Sequence, residues 1–436
     1  MDYIKEKFFD KAKPIAEEVK TMVKNYGKKP AGEYTIEQIL TGMKGVVSLL
    51  TLTSKLDPVE GIRFRGYSIP ELKDKLPKLS PDDEPLAEGI FYLLLLDELP
   101  TLNDVNFLTE EWRKRSEVPQ YVFDIIDQHP NDSRPMVLFS SAILSMAHDS
   151  KFIKKYIAGM HKKEYWDTTF EDTMDLIARL PRIASYIYRK LYYNNEQIEP
   201  DPKLDWSANL AHMMGYDHED IYKLFRLYMV VHSDHEGGNV SAHTTHLVNS
   251  ALSNPYYSLS AGMCGLAGPL HGMANQEVMK WILQMREEIG EDNCQDKEMV
   301  EKFVLKTLSN GQVIPGFGHA VLRKTDPRYM AQREFALKYL PDDEIFKIVN
   351  TLFEVVPPIL QKTGKVKNPY PNVDAHSGTL LLHYGIKEYP FYTVLFGVSR
   401  ALGVLSQLIW DRALGLAIER PKSQTLDWFR DQIKRN

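Results

Sequence analysis

Apolar residues recur at three- and four-residue intervals over long stretches: Tyr3 to Tyr26, Leu86 to Leu96, Phe107 to Arg115, Thr169 to Tyr193 and Tyr216 to His232. That spacing gathers them into one stripe per segment, so each predicts a helix with a buried face. Strand patterning is scarce. Its clearest instance is Gly61-Ile-Arg-Phe-Arg-Gly66, where apolar and charged side chains alternate after Asp57-Pro58, and it predicts a small hairpin. No strand and helix alternation recurs to suggest a parallel sheet, and no internal repeat suggests a solenoid. The pattern predicts an all-α fold with a minor β-hairpin.

Proline-rich breakers separate the helices at Pro81-Asp-Asp-Glu-Pro85, His129 to Pro135, Glu199-Pro-Asp-Pro202, Pro315-Gly316 and Asn368-Pro-Tyr-Pro371. The most apolar run, Tyr392 to Trp410, has the length of a membrane span, but Arg400 sits at its middle and Thr393, Ser399 and Gln407 interrupt it. A charge at the centre of a bilayer is costly. The run therefore predicts a buried core or subunit-interface helix, with no membrane partner.

At 436 residues the chain is too long for one simple core, so two domains, or one large domain with a smaller insertion, are expected. Its 53 basic and 59 acidic residues give a net charge of −6 without a sustained basic stripe, which argues against a nucleic-acid partner. An anionic ligand would have to be met by local Arg and Lys clusters. Two cysteines, Cys264 and Cys294, are too few for a disulfide framework and fit a reducing compartment. The N-terminus mixes acids and bases without a long apolar stretch or a cleavage signal, and the C-terminus carries no recognised peroxisomal or retention address. The expectation is a cytoplasmic protein if the source is bacterial, or a mature mitochondrial-matrix chain.

Three segments carry candidate chemistry: Gly268-Pro-Leu-His271-Gly-Met-Ala-Asn-Gln-Glu277, Pro315-Gly-Phe-Gly-His319-Ala-Val-Leu-Arg323 and Pro371-Asn-Val-Asp374-Ala-His-Ser-Gly378. Each presents an ionisable side chain among Gly and Pro, which break helices and let a substrate approach the backbone. Two imidazoles and a carboxylate make an acid/base set. His232-Ser-Asp-His235 and His243-Thr-Thr-His246 are two pairs at one-turn spacing that could hold zinc, serve structure, or bind an anion through His235. No His-Glu-x-x-His or Cys-x-x-Cys signature supports the metal. Pro315-Gly-Phe-Gly-His-Ala-Val321 partly matches a dinucleotide fingerprint, but Val321 replaces the third glycine and no strand leads into it. Arg323-Lys324 and Gly364-Lys-Val-Lys-Asn368 could still meet a phosphorylated ligand, or be solvated bases. Arg400, in an apolar run, must find an anion, either a protein carboxylate or a substrate carboxylate held bidentately. Arg328 and Arg420 are further candidates.

Taken in order, Leu56-Asp-Pro-Val-Glu-Gly-Ile-Arg-Phe-Arg-Gly66, Lys203-Leu-Asp-Trp206, His232 to His243 and the three segments above resemble citrate synthase, in its longer form found in mitochondria and some bacteria. The likeness runs from about Lys44 to Ser423. It implies a large helical domain from residues 1–274 and 382–436, a small helical domain from 275–381, and a cleft between them. It implies condensation of acetyl-CoA with oxaloacetate to citrate, without metal or other cofactor. By motif, Asp374 resembles the base that removes a methyl proton, His271 the donor to the thioester oxygen, and His319 the group that protonates the ketone. His235, Arg328 and Arg400 match positions that grip oxaloacetate, and Arg420 matches one reaching in from a second subunit of a homodimer. Arg323, Lys162 and the loop containing Val313, Ile314, Gly316 and Gly318 match CoA contacts. Animal members carry Arg at the positions of Lys162 and Thr41, which implies weaker or rearranged phosphate binding here. The rival readings are 2-methylcitrate synthase acting on propionyl-CoA, a metal-dependent hydrolase built on His232 to His246, and a noncatalytic helical binding protein.

Overall fold

The computed structural model describes every residue except Ala320, Lys365, Arg435 and Asn436, so Lys365 of the second basic cluster lies outside the described residues. The first helix, Asp2–Tyr26, buries Ile4, Phe8, Ala12 and Ala16, the four-residue spacing that the sequence predicts. Phe8 packs edge-on against Trp410, with ring centroids 4.8 Å apart. The Ala87–Leu96 helix is buried on every side. Helix Leu102–Arg115 starts five residues before the predicted Phe107, because Thr101 and Asp104 cap its first turn reciprocally. The helix expected from Tyr216 starts at Glu219 instead: left-handed Gly215 closes Trp206–Met214, and the His218 side chain caps the next helix.

Tyr392–Leu414 is long and apolar enough to cross a membrane, yet it is enclosed by the rest of the protein. Its Trp410 donates to the Leu95 carbonyl at 3.0 Å. Enclosure by apolar neighbours stabilises each large side chain by roughly 1.5–3 kcal/mol.

The predicted hairpin is part of a three-stranded antiparallel sheet, β1 (Ser54–Asp57), β2 (Gly61–Phe64) and β3 (Tyr67–Ser68), in that order. Ser54 pairs with Phe64, and Arg63 with Ser68. The turn before β2 holds the later chain in place: the Pro58 carbonyl accepts from the Arg323 amide at 2.7 Å.

Buried side chains form two clusters. The larger draws on both ends of the chain, from Ile4 to Leu414. The smaller is confined to positions 278–375 and includes Ile282, Met285, Val304, Val349 and Val356 from helices Ala274–Ile289, Lys297–Ser309 and Glu344–Thr363. Four helices touch both: Ala274–Ile289 gives Ile282 to the small cluster and Met279 to the large one, Glu344–Thr363 gives Val349 and Phe346, Pro327–Tyr339 gives Tyr329 and Phe335, and Asp374–His383 gives Ala375 and Leu381 in the same way. The last two carry Arg328 and Asp374, so charge collects at the seam between the cores.

Candidate active site

Helix Val240–Ser250 is capped by Asn239, whose Oδ1 accepts from the Ala242 amide at 3.1 Å. The same oxygen takes a bond from Ser241 Oγ at 2.9 Å and from Arg400 Nη1 at 3.1 Å. A helix start leaves amides without internal partners, and here one is used: the Ser241 N–H donates to His271 Nε2 at 3.2 Å. An amide can only donate, so Nε2 is the acceptor and the ring proton resides on Nδ1. Burial, and then the Arg400 charge, lower the His271 pKa to about 4, so the ring is neutral near pH 7.

His319 is fixed in the opposite sense. Its Nδ1 accepts from the amides of Val321 and Leu322 at 3.0 and 3.1 Å, which leaves the proton on Nε2. Burial, with Arg328 next, lowers its pKa to about 4. Its ring centroid lies 5.6 Å from that of His235. His235 is held well below the ordinary imidazole value by burial and by Arg328 and Arg400. His232 Nε2, His235 Nε2 and Tyr228 OH are buried with no hydrogen-bond partner among the described residues. Unmet buried polar capacity is costly, and a polar ligand would relieve it.

Asp374 opens helix Asp374–His383, and its amide donates to Asn372 Oδ1 at 3.0 Å. Its carboxylate accepts no hydrogen bond and forms no ion pair with a described residue. Burial pushes its pKa up to about 6 against the pull of Arg328, with Asp326 adding to the rise and Arg400 opposing it. The residue keeps some exposed surface while protein crowds the carboxyl, and the crowding sets the direction.

The loop before this helix is laced to the loop before His319. Gly318 N donates to the Tyr370 carbonyl and Asn372 N to the Gly316 carbonyl, both at 2.9 Å, while Asn372 Nδ2 reaches the Gly318 carbonyl at 3.0 Å. Gly316 has φ +77°, and a Cβ there would lie 2.8 Å from the Ala375 Cα. Only glycine fits both the conformation and the approach.

Two buried guanidinium groups face this seam, with different partners. Arg328 Nη2 pairs with Asp326 Oδ2 at 2.6 Å, and its Nε also reaches that carboxylate. Arg400 has no ion-pair partner among the described residues: Nε donates to the His232 carbonyl at 3.2 Å, Nη1 to Asn239 Oδ1, and the group lies 4.7 Å from the Phe396 ring. Burial lowers its pKa to about 10, which leaves it cationic. The protein carboxylate considered for Arg400 thus exists for Arg328 instead. Asp326, Asn239 and Ser241 were not singled out from the sequence. Asn239 and Asp326 stand immediately before helices, a cap signal that could have marked both.

The structure therefore brings His235, His271, His319, Arg328, Arg400 and Asp374 to one seam. It does not bring Arg420 there. Arg420 is exposed after the Tyr392–Leu414 helix and forms no ion pair with the cluster. Lys162 and Val313 are exposed, Ile314 is buried in the small core, and Arg323 Nη1 donates to the carbonyls of Val321 and Leu322. Thr41 is exposed at the end of helix Ile36–Leu40. The two histidine pairs separate. His232 bonds to the Tyr228 carbonyl, whereas His243 and His246 face Glu419. Among the described residues no three His, Cys, Asp or Glu side chains are grouped to hold a metal ion.

Two fixed N–H donors, one uncompensated carboxylate and a cationic floor can donate at two points and accept a proton at a third. The model of the citrate synthase C-terminal domain matches residues 42–422. The chain belongs to the citrate synthase family. It is 54% identical over 420 residues to the mitochondrial citrate synthase of Daucus carota, covering 96% of this chain and 89% of that one. It is 53% identical over 432 residues to the mitochondrial citrate synthase of Saccharomyces cerevisiae, covering 99% and 90%. Among solved structures, the citrate synthase from Pyrobaculum aerophilum superposes with a TM-score of 0.75 at 26% identity, covering 91% of this chain and 95% of that one. The family's helical fold is the fold found here.

Proposed function

We propose that the chain's citrate synthase reaction, the condensation of acetyl-CoA with oxaloacetate and water to citrate and CoA, is carried out by His271, His319 and Asp374. The observation that carries this reading is the fixed direction of the two rings. Backbone amides occupy Nε2 of one and Nδ1 of the other, so each neutral ring offers one N–H and nothing else. Neutral donors suit a step in which negative charge grows on oxygen, because the bond strengthens as the charge develops.

Asp374 takes a proton from the acetyl methyl group while His271 Nδ1–H donates to the thioester oxygen, giving an enol-like carbon nucleophile. That carbon attacks the ketone carbon of oxaloacetate, and His319 Nε2–H supplies the proton to the ketone oxygen. Water then cleaves the citryl thioester, releasing citrate and the CoA thiol. Each acid/base contribution is worth about 10²–10⁴-fold, and holding both reactants removes much of the entropic barrier. Carboxyl, imidazole and guanidinium groups supply all of this chemistry, so the reading requires no metal or other cofactor.

His235, Arg328 and Arg400 hold the oxaloacetate carboxylates. Arg400 has no carboxylate of its own, and substrate supplies one. Arg420 is exposed in its own chain, which supports its delivery to the partner's site in a homodimer. The small cluster at 278–375 is the mobile body, residues 275–381, that closes over oxaloacetate before acetyl-CoA binds. Arg323, Lys162 and the loop through Val313, Ile314, Gly316 and Gly318 meet CoA. The named relatives are mitochondrial, which favours a mitochondrial over a cytoplasmic location. The test is thiol release from acetyl-CoA: it should require oxaloacetate and exceed release from propionyl-CoA. Oxaloacetate-independent release would overturn the assignment.

A further inference from the structure

His246 is the inner member of the histidine pair that the reaction leaves unused. Its Nδ1 lies 2.7 Å from Asp411 Oδ2 and its Nε2 3.0 Å from Glu419 Oε1, the latter off-line for a hydrogen bond but within ion-pair reach. Asp411 is built into the core: its Oδ1 accepts from Gln407 Nε2 at 2.9 Å, and Gln407 Oε1 accepts from the Leu52 amide at 2.9 Å. Glu419 sits in an irregular limb after Gly415. Its other oxygen lies 3.2 Å from His243 Nε2, and its amide donates to Ser250 Oγ at 3.0 Å. From Arg420 to Leu426 that limb is exposed. Glu419 therefore fastens the limb to the body one residue before Arg420.

We propose that His246 is a positioning residue: bridging Asp411 and Glu419, it holds the limb in the place from which Arg420 reaches a partner's oxaloacetate site. This rests on the reading of Arg420 given above and adds what aims it. The same helix begins with Asn239 and Ser241, and the Asp411 helix carries Arg400, so one cluster joins the elements behind both arginines.

The charge environment gives the device a direction. Burial opposes the His246 proton, but Asp411 and Glu419 outweigh it and the pKa is raised. Other charged groups near the ring's packing elements are His243 on its own helix, Arg412 beside Asp411, and Asp234 and Glu236 across a small cavity of about 20 Å³. A raised pKa means that the ring's contribution to the folded clamp is present below the unfolded imidazole value and is lost as pH rises through the folded one. Oxaloacetate affinity should follow that loss.

The experiment compares intact wild-type enzyme with H246Q, E419Q, R420A and the H246Q/R420A pair, reading KM for oxaloacetate, kcat and melting temperature from roughly pH 6 to 9. If loss of the clamp leaves only about a tenth of the limbs correctly placed, KM in H246Q and E419Q rises about tenfold with kcat near wild type. The wild-type rise of KM with pH disappears in both. The double variant matches R420A, because a limb without its arginine cannot be misaimed. An unchanged KM in R420A would overturn the underlying reading of Arg420. A raised KM in R420A with an unchanged KM in H246Q and E419Q, or with independent, multiplying effects in the pair, would overturn the clamp alone. E419Q keeps the shape of the side chain, so its KM separates lost charge from lost folding.

Discussion

The Ser241 amide stands 3.2 Å from His271 Nε2, and Oγ of the same serine 3.5 Å from Arg400 Nη1. One residue at a helix start therefore fixes which nitrogen of His271 carries hydrogen and also borders the arginine proposed to hold oxaloacetate. The decisive bond comes from the backbone, so Ser241→Ala should keep it, with kcat falling less than about tenfold. His271→Ala removes the donor itself and should cost about 10²–10³ in kcat. Steady-state thiol release on the two variants checks the contrast; equal losses would assign the effect to the hydroxyl.

If Asp374 is the base, as proposed, it gives the reaction its pH dependence. With both rings already neutral at pH values above their pKa of about 4, the titration expected near neutrality is that of Asp374, at about 6. The base is active when deprotonated, so kcat should rise with pH through that value and level off. Asp374→Asn should lower kcat by about 10²–10⁴-fold while oxaloacetate still binds, as read by calorimetry. The raised pKa also means that the fold binds its proton more tightly than the unfolded chain does. Stability contributed by this group therefore falls as pH rises through about 6. The Asn variant should accordingly melt higher at neutral pH.

Arg400 is the same trade in the opposite charge. A buried cation with no ion pair among the described residues strains the fold, so Arg400→Met should be neutral or stabilising by up to about 4 kcal/mol. Its KM for oxaloacetate should rise by at least about 30-fold, the equivalent of losing roughly 2 kcal/mol of charged contact. Thermal melts with and without oxaloacetate would read both effects. A variant that melts lower and binds normally would contradict the placement.

Gly316→Ala tests the lacing of the two loops. The new methyl meets the Ala375 backbone at 2.8 Å in a left-handed conformation, a strain of about 1–3 kcal/mol. Because Ala375 follows Asp374, kcat should fall together with melting temperature. Stability loss with unchanged kcat would detach the loop from the base.

Much of this was legible in the chain. The helical stripes located the long helices because one face of each must be buried, and Gly or Pro marked His271 and His319 as loop-borne, whereas Asp374 proves to be the first residue of a helix. What escaped depended on partners distant in sequence. Ser241 and His271 meet across 30 positions through a backbone amide, which no side-chain motif reports. Asp326 lay in view beside Arg328, but its role appears only once helix Pro327–Tyr339 folds the guanidinium back onto it. β1, Ser-Lys-Leu-Asp, is too short and mixed for alternation to reveal. Arg420 lies exposed and away from the seam, and its proposed role rests on a second subunit.

The pairing of Phe317 with Pro371, and the bonds from Gly316 and Gly318 to the segment just before Asp374, make one strap of two loops. If the loop through Val313 to Gly318 meets CoA as proposed, a thioester stripped of its nucleotide would leave half of that strap without a load. Short acyl-pantetheine mimics should then turn over slowly even at saturation, since the far end of the carrier would no longer brace the proposed base.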